Sequence, residues 1–177
     1  VVWDVTYACP LRCVHCYSES GRRPARQLSQ QDLLRVADAI VSLGPKAVAI
    51  AGGEPLLVKN IAEVAGRLSA AGVLVSLYTS GWTFGAAEVE RLTGVVDVLH
   101  VSIDGATAAV NDRIRGRAGA FARALNALET LDRAAADRVA AGAQALEFCI
   151  DYVVVRSNAD EVESFCRTVV PRFPRLH

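Results

Sequence analysis

The chain alternates short apolar runs with longer stretches in which apolar residues recur every three or four positions, a β-then-α rhythm. Residues 1–7, "VVWDVTY", form the first extended run. A helix is expected across "LSQQDLLRVADAIVSLG": Leu33, Ala37, Ile40 and Val41 fall on one face, and Ser29 stands three before Asp32 as a capping box. Gly44-Pro45 ends that periodicity. "KAVAIAGGEP" is apolar without alternation, which suits a parallel strand covered on both faces. "NIAEVAGRLSAAG" follows as helix, "VLVSLYTSG" as strand, "AAEVERLTG" as a short helix and "VDVLHVSIDG" as the fourth strand. A long Ala-rich helical region from about Phe121 to Ala145, a fifth strand "LEFCIDYVVV" and a helix "ADEVESFCRTVV" complete the series.

Five such units in succession imply a parallel sheet with right-handed crossovers, doubly wound or part of a (β/α) barrel. Both folds place ligand chemistry at the C-terminal ends of strands. The polar and glycine-rich segments lie there: "YACPLRCVHCYSES" after the first strand, "GGEP" after the second, "TSG" after the third, "SIDG" at the end of the fourth. The pattern shows neither a domain boundary nor a repeat beyond the βα unit.

Composition narrows the picture. With 177 residues, 52% apolar, the chain suits one domain or part of a larger one. Lys and Arg number 19, as do Asp and Glu, which argues against a generally basic nucleic-acid binder. No apolar run approaches the roughly 18 residues of a membrane span, and no signal-peptide pattern is present. The expected location is cytoplasmic. The chain starts inside an apolar run without Met and ends "PRFPRLH", where a further strand could begin, so a fragment of a longer polypeptide is expected. Five cysteines, an odd count, weaken a disulfide framework.

Three of those cysteines, Cys9, Cys13 and Cys16, are spaced C-x3-C-x2-C on one loop. Structural zinc wants four ligands; His15 could complete the set, but it is adjacent to Cys16, and adjacent side chains rarely reach one ion. A zinc-stabilised, non-enzymatic α/β binding module is the reading that would follow. An iron–sulfur cubane also takes four cysteines as a rule, and three would leave one iron open for chemistry.

"CPLRCVHC", together with "GGEP" at the next strand end, resembles the signatures of the radical S-adenosylmethionine (radical SAM) superfamily. The resemblance covers essentially the whole chain, 1–177, as a core domain lacking its C-terminal part. It implies an α/β fold, a partial (β/α)6-type barrel with parallel strands and five βα units present. It implies that Cys9, Cys13 and Cys16 hold a [4Fe-4S] cluster whose fourth iron is chelated by SAM. His15 then stands beside the SAM adenine, with Tyr17 flanking the same pocket. Gly52, Gly53, Glu54 and Pro55 resemble the loop that receives the SAM ammonium. "YTSG" matches the family's commoner "TNG" with Ser80 in place of Asn. Ser102 and Asp104 of "VSIDG" point toward the SAM ribose or carboxylate, and Arg115 of "NDRIRG" matches an arginine that pairs with the carboxylate. No catalytic residue beyond this cofactor shell is identified.

By the same resemblance, an external one-electron reductant of the flavodoxin or ferredoxin kind drives cleavage of SAM to a 5′-deoxyadenosyl radical, which abstracts hydrogen from substrate. "TYACPLRCVHCYSESG" with "SIDGAT…NDRIRG" is most similar to members carrying a cysteine-rich SPASM-type extension, many of which modify peptides or proteins. The alternative substrate is a small molecule, handled by a dehydrogenase or epimerase of carbohydrate, nucleoside or cofactor biosynthesis. Cys149 and Cys166 read as core thiols, Arg113 and Arg117 as a solvated face, and "GRRPAR" at 21–26 as an exposed loop.

Overall fold

The computed structural model describes residues 1–25 and 27–177, so Arg26 of the "GRRPAR" run lies outside it. Five strands, β1 (Val2–Asp4), β2 (Ala47–Ala51), β3 (Leu74–Thr79), β4 (Val98–Ser102) and β5 (Glu147–Asp151), form one sheet. All neighbours are parallel and the order is β1-β2-β3-β4-β5. A doubly wound sheet reverses its order at a switch point, whereas a barrel wall adds each strand beside the last. Val2 of β1 and Asp151 of β5 line the same cavity, so the sheet curves as a barrel wall does.

Among the described residues six α-helices connect and cover the strands: α1 (Gln30–Ser42), α2 (Ile61–Ser69), α3 (Ala86–Leu92), α4 (Ala108–Arg115), α5 (Ala120–Ala140) and α6 (Val162–Thr168). At the start of α1 the Asp32 amide donates to Ser29 Oγ (3.1 Å) and the Ser29 hydroxyl donates to the Asp32 carboxylate (2.6 Å), the cap expected from the spacing. Strand residues facing these helices are buried: Val48 and Ile50, Val75 and Leu77, Leu99 and Val101, Phe148. Each such side chain contributes about 2 kcal/mol of apolar burial.

The other face differs from the expectation for β2. Ala49 and Ala51 are half-buried and line the cavity, so this strand is covered by helices on one face only. Alanine is apolar whether it packs under a helix or borders an open cavity, so its sequence pattern does not separate the two. Helix α4 was not foreseen. Thr107 caps it, its Oγ1 accepting from the Val110 amide, and Gly116 ends it at φ 69°. A Cβ on Gly116 would lie 2.3 Å from the Arg12 carbonyl oxygen, so the glycine permits the cysteine loop to close on the helix end. The amides of Arg12 and Val14 donate to the carbonyls of Arg115 (3.1 Å) and Ile114 (2.8 Å).

Candidate functional site

The cysteine loop is built against the "GGEP" loop. The amides of Gly53 and Glu54 donate to the carbonyls of Thr6 (2.7 Å) and Ala8 (2.8 Å), and the Ala8 amide donates to Thr6 Oγ1 (3.0 Å). Gly52 has φ 125°, and a Cβ there would sit 2.6 Å from the Thr6 carbonyl oxygen; on Gly53 it would sit 2.2 Å from that of Ala8. The glycines thus admit the backbone that carries Cys9. Gly53→Ala is expected to cost about 3 kcal/mol in urea unfolding, because the obstacle is main chain and cannot rotate away. An unchanged midpoint would contradict this close fit.

Cys9, Cys13 and Cys16, all half-buried, line one cavity of about 580 Å³ together with His15, Tyr17, Gly52, Gly53, Ser80, Ser102 and Arg115. Leu11, 2% exposed, roots the loop between the first two thiols. Among the described residues no three His, Cys, Asp or Glu side chains gather closely enough to hold a single metal ion. Three soft thiol donors spread around a cavity suit a polynuclear cluster, in which each thiolate takes its own iron, better than a tetrahedral ion. The donor set therefore fits the cluster.

Burial pushes the Cys9 thiol up to about 11, offset in part by the Leu11 amide that donates to its sulfur at 3.4 Å. Burial also raises Cys13; the Arg115 guanidinium, with Nη1 3.9 Å from its sulfur, opposes that rise. Metal binding must therefore expel protons from these thiols. In the cluster-free protein, iodoacetamide labelling of Cys9 is expected to accelerate about tenfold per pH unit from about pH 8, because thiolate is the reactive form. The rise should level off near 11, and a rate independent of pH would contradict the burial.

The remaining expected site residues divide into two groups. Ser80, Ser102 and Arg115 reach the cavity wall. Glu54, Pro55 and Asp104 are fully or almost fully buried and stand outside the lining. The Glu54 carboxylate accepts from Thr79 Oγ1 (2.8 Å), the Ser80 amide (2.8 Å), the Leu56 amide (3.3 Å) and the Ser80 hydroxyl. Burial raises its pKa, and these donors offset part of the rise. Pro55 opens a short 3-10 turn. Asp104 Oδ2 lies 2.8 Å from Arg115 Nε, an ion pair without hydrogen-bond alignment, and 3.1 Å from His15 Nε2. Its Oδ1 accepts from the Val153 amide (2.8 Å). Tyr17 is 76% exposed and donates its hydroxyl to Asp4 Oδ1 (2.7 Å).

One group on the inner sheet face went unrecognised in the sequence. Tyr78, His100 and Cys149 occupy paired positions on β3, β4 and β5. Tyr78 stacks on His100 with centroids 4.1 Å apart. His100 Nδ1 lies 3.0 Å from the Cys149 sulfur and 3.3 Å from Asp151 Oδ1. Tyr78 and Asp151 line the cavity. Cys149 is thus half-buried and hydrogen-bonded rather than a core thiol, and Cys166 is exposed because α6 turns Phe165 inward. Arg113 and Arg117 are exposed, as are Arg22 to Ala25.

A five-stranded parallel barrel wall with three thiols of one loop opening onto its C-terminal cavity defines a cofactor-dependent α/β domain. Residues 3–168 match the radical SAM superfamily, and the chain belongs to it. The family's cofactors are a [4Fe-4S] cluster and SAM. The chain is similar to mycofactocin maturase MftC of Mycolicibacterium smegmatis, 36% identical over 93% of this chain and 40% of that protein. It is also similar to the AdoMet-dependent heme synthase of Methanosarcina barkeri, 38% identical over 76% of this chain and 39% of the relative. It therefore spans about 40% of the length of these relatives. Its fold matches that of Streptococcus suis SuiB bound to S-adenosylmethionine at a TM-score of 0.74, with 16% identity, over 96% of this chain and 37% of SuiB.

Proposed function

We propose that the chain is the core domain of a radical SAM enzyme that modifies a peptide or protein. The observation that carries the reading is the convergence of Cys9, Cys13 and Cys16 on a cavity walled by the "GGEP" loop and the C-terminal ends of β3 and β4. The substrate class rests on similarity to the maturase over 93% of this chain. Similarity to the heme synthase favours a second reading, a small-molecule substrate in cofactor biosynthesis.

Cys9, Cys13 and Cys16 would hold three irons of the cluster. When bound, the cofactors supply a 5′-deoxyadenosyl radical that takes a hydrogen atom from a substrate C–H bond. The chain's residues bind and orient. Ser80 and Ser102 present hydroxyls to SAM, the Gly52–Gly53 backbone lets it approach, and His15 and Tyr17 border its nucleoside. Arg115 would offer a cation to the SAM carboxylate and to the Cys13 thiolate, whose sulfur lies 3.9 Å from its Nη1. Glu54 and Asp104 act from behind the wall, holding Ser80 and Arg115 in place. Tyr78 and Asp151, backed by His100 and Cys149, would give the substrate a polar patch on the inner face of the sheet. An external one-electron carrier supplies the electron. Among the described residues no helix is long and apolar enough to cross a membrane.

The test is anaerobic reconstitution of the full-length protein with iron and sulfide, then SAM and dithionite. Brown protein and production of 5′-deoxyadenosine are expected. A colourless protein that binds zinc and never cleaves SAM would overturn the reading. Transfer of deuterium from a labelled peptide into 5′-deoxyadenosine would decide for the peptide class over the small molecule.

A further inference from the structure

The chain is neutral overall, yet its charges are not evenly paired. On the outer helices several arginines meet carboxylates, Arg35 with Asp32, Arg67 with Asp38, Arg91 with Glu88 and Arg172 with Glu129, while Arg133 of α5 has no such partner among the described residues. Around the cysteine loop the buried Arg115 pairs with Asp104, but the exposed arginines do not. Among the described residues, Arg12, Arg22, Arg113, Arg117 and Arg123 have no carboxylate within ion-pair distance, and all five are exposed.

Several of these cations are pinned in place. Arg22 donates to the carbonyls of Cys13 (2.8 Å) and Arg12 (2.6 Å), and Arg117 donates to that of Pro10 (2.7 Å). Arg117 and Arg123 flank Trp82, at 3.9 and 5.3 Å from its ring centre. Arg113 donates to the Ser157 carbonyl at 3.3 Å. Acids are fewer than arginines here: Glu19 is the acid of residues 8–25, and Asp112 of α4 keeps its charge while accepting from the amides of Gly119 (2.6 Å) and Phe121 (2.7 Å).

The loop alternates. Leu11, Cys13 and His15 line the cavity, while Arg12 and Val14 between them do not and are exposed, Val14 at 61%. The outward side of the cysteine loop is therefore an exposed apolar residue within a basic rim, the layout of a transient protein contact.

We infer that this outward face is the docking surface for an acidic one-electron carrier protein of the flavodoxin class. The inference rests on the radical SAM reading. SAM and substrate need the cavity side of the loop, so a protein that delivers an electron to the thiolate-bound iron approaches by the other side, past Arg12, Val14 and the C-terminal end of α4 that the loop closes on. An acidic carrier is attracted by the unpaired arginines and oriented by them, and this attraction weakens with salt.

The test uses the full-length, cluster-loaded protein and the double variant Arg12→Glu/Arg113→Glu, whose two side chains hold no part of the cysteine loop. SAM cleavage is driven either by a photoreduced acidic flavodoxin or by dithionite. With flavodoxin, the KM for the carrier is expected to rise about tenfold or more and to lose its salt dependence, while dithionite-driven cleavage stays within about twofold. Calorimetric binding of oxidised flavodoxin should weaken in parallel, and Arg12→Lys should behave as wild type. If the variant accepts electrons from flavodoxin as wild type does, the docking surface is refuted; equal slowing with both reductants refutes it too, by placing the effect in the cysteine loop. If instead wild type cleaves no SAM even with dithionite, the radical SAM reading itself fails.

Discussion

Cys13→Ala is expected to reduce 5′-deoxyadenosine formation to the level of a control without enzyme, and to abolish the brown colour of the reconstituted protein. Cys13 is the middle thiol of the loop and faces the cavity beside Arg115. Without it only Cys9 and Cys16 would remain of the three thiols proposed to hold the cluster, too few for a cubane with one iron left open. The fold should survive. Cys13 is half-buried, and the loop is fastened by main-chain bonds from Arg12 and Val14 to the end of α4, which the substitution leaves intact. A loss of no more than about 1 kcal/mol in the cluster-free protein is expected from such a truncation. Cys166→Ala is the comparison: that thiol is exposed on α6, away from the cavity lining, and its variant should match wild type in both assays. Persistent SAM cleavage by Cys13→Ala would show that the loop is not the cluster site.

How far these positions were legible depends on what kind of signal each leaves. The α1 cap was readable because a hydroxyl and a carboxylate three apart have one economical use, which Ser29 and Asp32 fulfil. The cysteine and "GGEP" loops were readable as a site because parallel strands direct chemistry to their C-terminal ends. Helix α4 left no such trace. Its buried positions are Asn111, Ile114 and Arg115, two of them polar, so hydrophobic periodicity does not register it. Asn111 is buried because its Oδ1 accepts from the Asp104 amide (2.8 Å), a contact between segments that a linear pattern does not encode. The Tyr78–His100–Cys149 row was hidden for a related reason. Each residue sits singly in its own strand with nothing in the local pattern to link it to the others, and only the register of three strands sets them side by side. For Glu54 the motif placed the residue but not its carboxylate, which four donors from residues 56, 79 and 80 turn into the protein.

Asp104→Ala should be the most destabilising single change at the site, at about 3–5 kcal/mol, because it leaves the Arg115 guanidinium buried without its counter-ion. Asp104 is 0% exposed and Arg115 8% exposed, so water reaches the stranded guanidinium from the cavity side only. The same carboxylate joins four segments: it lies by His15 of the cysteine loop and Arg115 of α4, accepts from the Val153 amide after β5, and ends β4's own loop. Asn158, also 0% exposed, adds to this junction by donating to the Asp104 carbonyl (2.9 Å) and the Val153 carbonyl (3.0 Å). Removing the charge therefore loosens the wall on both sides of the cluster loop, and cluster retention should fall together with stability. Asp104→Asn separates the two contributions. It keeps an acceptor for the Val153 amide while deleting the charge, so it should lose less stability than alanine but still leave Arg115 uncompensated. The decisive variant is the pair Asp104→Ala/Arg115→Met, in which neither charge remains. If the cost of Asp104→Ala is the stranded arginine, the pair should recover a large part of the lost stability, so that the two single effects do not add. Urea unfolding of the cluster-free proteins measures this directly, and strict additivity would show that the buried pair contributes nothing as a pair.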